Sequence, residues 1–499
     1  MPKYLARLAL AAGLINGLVA CSDNNDQNSA INPCAGIEAE VVRLFLQQLT
    51  DSSVIVKWRG DASAACFGNA QDSLNTYVEA TSTDGDHKEA YINGLNPETM
   101  YYYSVGGAPT APADQYFTTS PTTGNLPADG TTRIWLIGDS GTGGDDERED
   151  HEGEALEVLA GMQSYIADDG QDIDLFLMLG DNAYTVGSDF NYQQAVFETY
   201  PELLKNFSVW PTIGNHEMGF FGVSSSPDPE SYIQQPGDEP SGMPYLDIFT
   251  LPTDGETGGV ASGTEQFYSF DYGNVHIVSL DSQLSARDDS QRAAMRSWVI
   301  DDLSANTSDW TVVIFHHPPY SKGSNHDSDT TETRGTIDVP QRLMREEFVS
   351  VFDDYGVDVV YGGHSHSYER SYYLSGHTGK SDTFSPAEHA ELIDGEPASG
   401  RDGEGYAQLS PTSGGVDDRV VYTVAGNGGK ADEDAGRLTN PAVWLRHPAH
   451  IEQPADTATP KHRGVNVLGS VVLDASADRL QANFINTDGV VLDSFSITR

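Results

Sequence analysis

The sequence predicts an all-β sandwich followed by an α/β domain, and a change of pattern along the chain supports this division. Residues 38–120 contain short alternating segments separated by turn signals, such as SSVIVKW, NTYVEAT and YYYSVGG, which are typical of an antiparallel β-sandwich. From Arg133 onward, apolar strand-like runs alternate with helix-length segments such as EALEVLAGMQSYIA and QRAAMRSWVIDDL. This alternation predicts an α/β domain over residues 121–499. The stretch PTTGNLPADG marks the boundary between the two regions.

The N-terminus has the features of an export signal. Lys3 and Arg7 precede the run LALAAGLINGLVA, which has the length of a signal-peptide core and is too short to span a bilayer. The run ends in LVAC, which resembles the bacterial lipoprotein processing box, in which Cys21 would receive lipid. We expect a signal peptide at residues 1–20, a polar tether at residues 21–37 and an exported lipoprotein, either periplasmic or at the outer membrane or cell surface. Its only contact with the membrane would be this lipid, and ordinary secretion is the alternative.

The charge balance excludes some partners. Acidic residues number 75 against 27 Lys plus Arg, for a net charge of −48, so most of the surface would repel nucleic acid. An anionic substrate therefore needs a local positive site on this protein. The acidity itself indicates either high solubility or adaptation to high salt.

Two cysteines remain for structural use if Cys21 carries lipid. Cys34 and Cys66 can pair in an oxidising compartment, and the chain-entropy description assigns a loop of this length about 3.7 kcal/mol of stabilisation. Two unpaired, buried thiols are the alternative. We predict the disulfide because the export signal places the chain outside the cytoplasm.

Five apolar runs in the second region end in residues of the types that ligate metals. The runs are RIWLIGD, LFLMLGDNAY, SVWPTIGNHE, WTVVIFHHPPY and VDVVYGGHSH, and the candidate ligands are Asp139, Asp181, Asn215, His316, His364 and His366. Ligands of open α/β sheets bind beyond the carboxyl ends of the strands, and we expect these five strands to lie in one sheet. Each cluster alone is weak evidence, because a turn, a capped loop or a hydrogen-bonded core histidine can also explain it. Together they supply enough oxygen and nitrogen donors for a site with two metal ions.

The ordered set GDSG, GDNAY, GNHE, VIFH and GHSH resembles the calcineurin-like metallophosphoesterases, and within them the purple acid phosphatases. The resemblance extends from Arg133 to Arg370. Most calcineurin-like enzymes have a His two residues after the first Asp, where this chain has Gly141, and Tyr184 instead follows the second Asp by three residues. That exchange is the mark of the purple branch. The resemblance implies a metallophosphoesterase domain built as a four-layer β-sandwich flanked by helices.

The first region resembles a different module. The stretches INGLNPETMYYYSV and YFTTSP resemble the fibronectin type III pattern, in which Tyr101 would form a tyrosine corner. Such a module also resembles the N-terminal domain of the larger purple acid phosphatases. We therefore expect residues 38–120 to be a fibronectin III-like sandwich.

The resemblance also implies a dinuclear metal centre. It places one metal ion on Asp139, Tyr184 and His366, the other on Asn215, His316 and His364, and Asp181 as the bridge between them. An anionic phenolate is a hard oxygen donor, which favours Fe³⁺ at the first position. Asn oxygen and two imidazoles suit a divalent ion, Zn²⁺, Mn²⁺ or Fe²⁺, at the second.

The expected activity is hydrolysis of a small phosphorylated substrate. The resemblance implies an acid-phosphatase type of reaction on phosphate monoesters by a metal-bound hydroxide, with His216 at the substrate phosphate or leaving group. His326 is a second candidate catalytic residue, with a solvated loop residue as the alternative interpretation. A phosphodiesterase on the same site and a non-catalytic surface binding protein are the competing functions. The sequence does not indicate an oligomeric state.

Other polar residues lie beside these candidates in the sequence. The histidines His276 and His317 are interpreted as core residues or as supports for the ligands. Glu217, Glu369 and Arg370 are interpreted either as supports or as members of surface ion pairs. The long stretches from Met218 to Gln266 and from Ser371 to Gly464 are predicted to be loops around the pocket mouth.

Overall fold

A computed structural model describes residues 34, 39–84, 86–142, 154–218, 243–323, 326–329, 335–401, 403–408, 419–431, 444–453 and 462–499. The chain divides into a segment of residues 1–32 and a compact unit of residues 33–499, and every described residue belongs to the compact unit. The predicted signal peptide and Cys21 lie outside the described residues. Among the helices that the structure describes, none is both long and apolar enough to cross a membrane.

The first eight strands form two four-stranded antiparallel sheets. Strands β1 to β8 comprise Val41–Gln47, Ser53–Gly60, Ala64–Gly68, Thr76–Glu79, Thr81–Ser82, His87–Asn93, Met100–Val105 and Tyr116–Thr118. The sheet orders are β1-β2-β6-β5 and β4-β3-β7-β8. Alternate residues of β2, namely Val54, Val56 and Trp58, pack with Tyr103 in the core of this unit. The alternation arises because successive side chains of a strand point to opposite faces.

Two contacts stabilise the sandwich locally. The Tyr101 hydroxyl accepts a hydrogen bond from the backbone N–H of Asn96 at 3.0 Å, as expected for a tyrosine corner. A disulfide joins Cys34 to Cys66 on β3, 32 positions apart in the chain. The bridge is buried beside Leu74, so it fixes Cys34 to the second sheet.

The remaining strands and the helices follow the two sheets of the first region. Strands β9 to β23 comprise Thr132–Ile137, Leu175–Met178, Val209–Pro211, Tyr268–Tyr272, Val275–Ser279, Trp310–Ile314, Val359–Gly362, Tyr368–Leu374, Leu392–Ile393, Glu396–Pro397, Tyr406–Ala407, Val420–Ala425, Gly469–Ala475, Arg479–Asn486 and Val491–Thr498. Helices α1 to α7 comprise Glu154–Asp169, Asp189–Tyr192, Pro201–Leu204, Pro244–Ile248, Asp289–Ala305, Gly335–Asp354 and Pro386–His389. The helices α1 and α5 coincide with the two helix-length segments that the sequence predicts.

These strands form two large sheets in a layered α/β arrangement. The sheet orders are β11-β10-β9-β21-β22-β23-β19 and β12-β13-β14-β15-β20-β16, with β17 and β18 as a separate pair. On β14, Val312 and Ile314 pack in one core cluster with residues of the first sheet, while Val313 packs in another with α5 and α6. Helix α1 packs on β21 and β22. Because both faces of the inner strands are buried, their sequences are continuous apolar runs.

The expectation that the five ligand-bearing strands share one sheet is wrong. Strands β9, β10 and β11 lie parallel in the first sheet, whereas β14 and β15 lie parallel in the second. Their carboxyl ends nevertheless meet, since the backbone N–H of His364 donates a hydrogen bond to Asp139 Oδ2 at 2.7 Å. An apolar run predicts a strand that is buried on both faces. It does not predict which of two stacked sheets the strand joins.

The stretch after Ser371 is not only loop, contrary to the prediction. Strand β20 lies within it and is paired between β15 and β16 in the second sheet. Its sequence VVYTVA is followed by GNGG, so it ends in the same way as the five recognised strands. The long polar segments on either side of it concealed that pattern.

Candidate metal centre

The backbone turns sharply at three of the candidate ligands. Asp139, Asp181 and His364 have φ angles of 54°, 51° and 69°, and each directly follows a glycine at the end of a strand. The left-handed conformation costs a non-glycine residue about 1–2 kcal/mol. Gly363 has no room for a side chain, since a Cβ atom there would collide with the Asp139 carboxylate. The turns bring side chains from both sheets to one edge.

The first group of side chains surrounds the Tyr184 hydroxyl. This hydroxyl lies 3.0 Å from Asp139 Oδ1, 3.3 Å from His366 Nε2 and 3.4 Å from Asp181 Oδ2. The His366 Nε2 and Asp139 Oδ1 atoms are 3.5 Å apart. Ligands that each bind one ion at about 2.1 Å lie about 3 Å from one another. The spacing of this group therefore fits a single metal ion.

The second group surrounds the amide oxygen of Asn215. Its Oδ1 atom lies 3.1 Å from His316 Nε2 and 2.9 Å from His364 Nδ1. The His316 Nε2 atom is also 3.3 Å from Asp181 Oδ2. The same oxygen of Asp181 thus belongs to both groups, as a bridging carboxylate would.

Hydrogen bonds fix which ring nitrogen of each imidazole faces this centre. The Nδ1–H of His316 donates to the carbonyl of Leu179 at 3.0 Å, and the Nε2–H of His364 donates to Asp338 Oδ1 at 3.1 Å. The other nitrogen of each ring is the one beside Asn215. Burial alone would lower the pKa of His316, but the Asp181 carboxylate raises it, so a cation is stabilised at this place.

Asp338 is a member of the site that the sequence reasoning missed. It lies in the first turn of α6 and also accepts hydrogen bonds from Nδ1 of His326 at 2.8 Å and Nε2 of Gln341 at 3.0 Å. Burial would raise the pKa of Asp338, but His326 and His364 lower it below its usual range. The His326 ring packs on the His364 ring with centroids 3.8 Å apart. His326 therefore lies at the site.

His216 borders both groups. Its backbone N–H donates to Asp181 Oδ1 at 2.8 Å, and its ring Nδ1–H donates to the carbonyl of Thr185 at 2.6 Å. Its Nε2 atom lies 3.9 Å from Asp181 Oδ2, and its ring packs edge-on against Tyr184. Burial lowers the pKa of His216.

Glu217 supports the loops that carry two of the ligands. Its carboxylate accepts backbone N–H bonds from Gly214 at 2.6 Å, Asn182 at 2.7 Å and Asp181 at 2.9 Å. The residue is only 1% exposed, so the alternative of a surface ion pair is wrong. Burial, with the charge of Asp181 beside it, raises the pKa of Glu217 to about 7.

The sequence and the fold are similar to those of known proteins. Residues 132–368 match the family model of the calcineurin-like phosphoesterases. The chain has a metallophosphoesterase fold. Purple acid phosphatase 22 of Arabidopsis thaliana is 27% identical over 310 residues, which cover 61% of this chain and 58% of that protein. Across the first three such relatives the alignment spans 58%, 62% and 63% of their length.

Solved structures show the same fold at lower identity. The purple acid phosphatase PPD1 from yellow lupin (Lupinus luteus) seeds has a TM-score of 0.63 at 18% identity and covers 94% of this chain and 75% of that one. The structure of PhoD has a TM-score of 0.55 at 12% identity and covers 95% and 92%. The metallophosphoesterase family that these comparisons point to implies a dinuclear metal site, and the described residues of this chain include clusters of His and Asp side chains that could hold metal ions.

Glu369 and Arg370 do not form surface ion pairs either. Glu369 accepts hydrogen bonds from Ser321 Oγ at 2.7 Å and from the backbone N–H of Lys322 at 3.1 Å, so it holds the loop that follows β14. Arg370 forms a fully buried ion pair with Asp493, in which Nε and Oδ2 are 2.8 Å apart. Both residues are buried, and their contacts hold neighbouring segments of the chain together.

The two other histidines named in the sequence analysis, His317 and His276, have different surroundings. His317 lies beside the centre, with its ring centroid 4.4 Å from that of His364 and its Nδ1 atom 2.9 Å from Ser282 Oγ. His276 is a core residue between Asp271 and Asp302, at 2.7 and 2.9 Å. Three groups of ligand-type side chains occur among the described residues, and all three include His316 or His364.

Lys430 is a second residue that the sequence reasoning missed. Its Nζ atom lies 4.6 Å from the centroid of the Tyr184 ring, and the residue is buried. The loop that carries it is fixed, since Gly428 N–H donates to the carbonyl of Gly138 at 2.9 Å and Thr142 Oγ1 to that of Gly429 at 2.6 Å. The signal for this residue was the GNGGK sequence after the apolar run of β20.

Proposed function

We propose that this protein is a phosphomonoesterase of the purple acid phosphatase type, with two metal ions at the centre described above. Fe³⁺ would bind Asp139, Asp181, Tyr184 and His366, and a divalent ion, Zn²⁺, Mn²⁺ or Fe²⁺, would bind Asp181, Asn215, His316 and His364. The observation that carries the proposal is the position of Asp181 Oδ2, 3.4 Å from the Tyr184 hydroxyl and 3.3 Å from His316 Nε2. One carboxylate oxygen shared by two donor groups suits two neighbouring ions.

The donor chemistry supports this metal pair. Burial and the Asp139 carboxylate raise the pKa of Tyr184 well above its usual value, so the phenol stays protonated unless a strong cation replaces the proton. A trivalent ion has the charge to bind it as a phenolate. Two bound metal ions would supply an activated water and polarise the phosphoryl oxygens.

His216 and His326 are proposed to handle the proton of the leaving group. In the reaction a water oxygen attacks phosphorus, the bond to the leaving oxygen breaks, and that oxygen takes a proton from one of these imidazoles. The contact of His216 Nδ1 with the Thr185 carbonyl turns its Nε2 edge toward Asp181. His326 is oriented in the same manner by Asp338.

A local positive charge at the centre would allow an anionic substrate to bind this acidic protein. A protein with a net charge of −48 would repel a phosphate from most of its surface. Two metal ions and the buried ammonium of Lys430 would make this edge of the sheets cationic. A small phosphorylated substrate is therefore expected to bind here rather than elsewhere.

Paired kinetics test the proposal. The metal content of the purified protein is measured, and kcat/KM is compared for p-nitrophenyl phosphate and bis-p-nitrophenyl phosphate. We expect two metal ions per chain and a preference for the monoester of at least about tenfold, or about 1.4 kcal/mol. A preference for the diester of that size would make the protein a phosphodiesterase. A fully metallated protein with no turnover on either ester would favour a surface binding role.

We also propose that the protein is an exported lipoprotein whose residues 38–120 form a fibronectin III-like module. The buried disulfide is consistent with an oxidising compartment, and the two sheets with the Tyr101 contact support the module. Cys21→Ala should release the protein from the membrane fraction. Unchanged membrane association would count against the lipid anchor.

A further inference from the structure

Two arginines of the β-sandwich hold one aspartate of the metallophosphoesterase domain. Arg43 on β1 donates to Asp189 from Nη1 at 2.8 Å and from Nη2 at 2.9 Å, and Nη2 also reaches the Asp189 carbonyl at 2.9 Å. Arg59 on β2 donates to both oxygens of the same carboxylate at 2.9 and 2.6 Å. We call these three residues the clasp. Paired charge-assisted hydrogen bonds of this kind are short and fix geometry strongly.

The backbone is shaped to aim Arg43 into the clasp. Arg43 has a φ of 51°, and the pairing of β1 with β2 shifts register between Val42 and Phe45. Such a bulge with a left-handed residue redirects a side chain and costs the fold conformational energy. The guanidinium is almost completely buried, with its Cζ atom 4.9 Å from the centroid of the Phe197 ring. An incidental surface ion pair would have neither feature.

Asp189 is tied to the proposed iron ligand through a short, ordered loop. It is the first residue of α2, whose N-cap Ser188 forms a capping box with Asn191. The backbone N–H of Gly187 donates to the carbonyl of Ala183 at 3.0 Å. Only five positions separate Asp189 from Tyr184. The clasp and Tyr184 therefore lie on the same short, hydrogen-bonded segment.

The same loop also orients His216. The Thr185 carbonyl, next to Tyr184, accepts the Nδ1–H of His216 at 2.6 Å. The clasp thus lies at one end of a segment whose other end holds a proposed metal ligand and the carbonyl that directs a proposed proton donor.

We infer that Arg43 and Arg59 are positioning residues for the active centre, so that the β-sandwich holds the Tyr184 loop in its working geometry rather than serving as a separate binding module. This inference rests on the proposed function for its kinetic consequences. Its structural part, the restraint of residues 183–192, is independent of any activity.

A second ion pair between the same domains supplies a matched control. Lys205, just after α3, contacts Asp114 of the sandwich with Nζ and Oδ2 2.7 Å apart. This pair joins the two domains and does not touch the Tyr184 loop in any described contact. Lys205→Met therefore weakens the domain contact without releasing the clasp.

The test compares the double variant Arg43→Met/Arg59→Met with Lys205→Met in the metal-loaded, full-length protein. Hydrogen exchange is measured for the amides of Gly187 and Tyr192, which bond to Ala183 and Ser188 carbonyls. The kcat and KM values for p-nitrophenyl phosphate are measured in parallel. We expect the double variant to exchange at least tenfold faster and to lose at least tenfold in kcat with KM within threefold. Lys205→Met should stay within twofold on all three.

Equal effects of the two variants, or a double variant within twofold of the parent in exchange, would overturn the inference. Faster exchange with unchanged kcat would overturn the inference as well, because the activity would then not depend on restraint of the loop by the clasp. If the double variant does not fold, Arg59→Met alone is tested, with Arg59→Lys expected to restore part of the kcat that it loses. A parent protein without phosphoesterase turnover would defeat the proposed function, and the exchange comparison would still decide whether the clasp restrains the loop.

Discussion

Nε2 of His364 lies 3.1 Å from Oδ1 of Asp338. The same carboxylate oxygen accepts Nδ1–H of His326 at 2.8 Å. One buried carboxylate thus joins a proposed metal ligand to a proposed proton donor. Partners of this kind fix the tautomer of a ligating imidazole and raise its basicity.

Asp338→Asn is expected to weaken the divalent site. The amide keeps the shape of the carboxylate but removes the charge that orients both imidazoles, and losses of about 10–100-fold in metal affinity or activity are usual for such partners. Affinity is measured by competition with a chelator, and kcat on a monoester. Gln341→Met is the control, because Gln341 contacts Asp338 and neither histidine in the described contacts. Equal losses in both variants would show that the effect comes from packing.

Tyr184→Phe is expected to bleach the protein. A phenolate bound to Fe³⁺ gives a visible charge-transfer band, and the phenyl ring of the variant cannot bind iron. The absorption spectrum of the purified protein measures this directly. Tyr192→Phe serves as the control, since Tyr192 is equally buried and contacts Glu217 at 3.4 Å. A colourless parent protein that contains only zinc or manganese would contradict the proposal of iron but not the proposed hydrolase activity.

Removal of the metals is expected to lower thermal stability as well as activity. The proposed ligands come from both sheets, and without cations the Asp139 and Asp181 carboxylates remain buried close together. A ligand that binds only the folded state stabilises it by about 2.7 kcal/mol at one hundred times its Kd. Calorimetry with and without a chelator measures the shift, and added metal should restore it. An unchanged midpoint would show that the centre does not bind metal tightly.

Loss of the disulfide is expected to affect stability and not catalysis. Cys34 and Cys66 are 32 positions apart in the sandwich, so replacing both by Ser should cost about 3–4 kcal/mol. Urea unfolding measures the change, and kcat should stay within twofold. The parent unfolded in the presence of a reductant is the control and should match the variant. A loss of stability below about 1 kcal/mol would show that the bridge is not formed in solution.

Stability should fall at alkaline pH because of His276. Burial alone would lower its pKa, but hydrogen bonds to Asp271 and Asp302 raise it to about 9. The folded-state pKa is thus above the unfolded value of about 6.5, so the stabilisation is complete below pH ~6.5 and lost as the pH rises through ~9. The loss is of the order of 3 kcal/mol in the free energy of unfolding. His276→Gln should remove this dependence in urea unfolding at pH 6 and 9, and an equal slope in the variant would refute the assignment.

The sequence was sufficient to find the candidate ligands that the structure brings together, because each one follows a buried strand. The continuous apolar runs identify buried strands, and ligands of α/β sheets bind beyond the carboxyl ends of such strands. Asp139, Asp181, Asn215, His316, His364 and His366 were all found in this way. The division of those strands between two sheets could not be found, because an inner strand of either sheet has the same apolar pattern.

The supporting residues were harder to find because they lie far in the sequence from the residues that they contact. Asp338 lies in a helix, 26 positions from His364, and nothing in its local pattern distinguishes it from other acidic residues of a first turn. The clasp joins Arg43 to Asp189 across 146 positions. Lys430 alone had a local signal, since GNGGK follows an apolar run.

The left-handed backbone at Asp139, Asp181 and His364 lowers stability at three positions where metal ligands are proposed. Glycine adopts such φ angles without penalty, so Asp139→Gly or Asp181→Gly would relieve local strain while deleting a donor. A chain selected for thermal stability alone would accumulate such replacements and would lose these proposed metal ligands. Engineering for robustness should therefore hold these three positions fixed and seek its gains elsewhere in the fold.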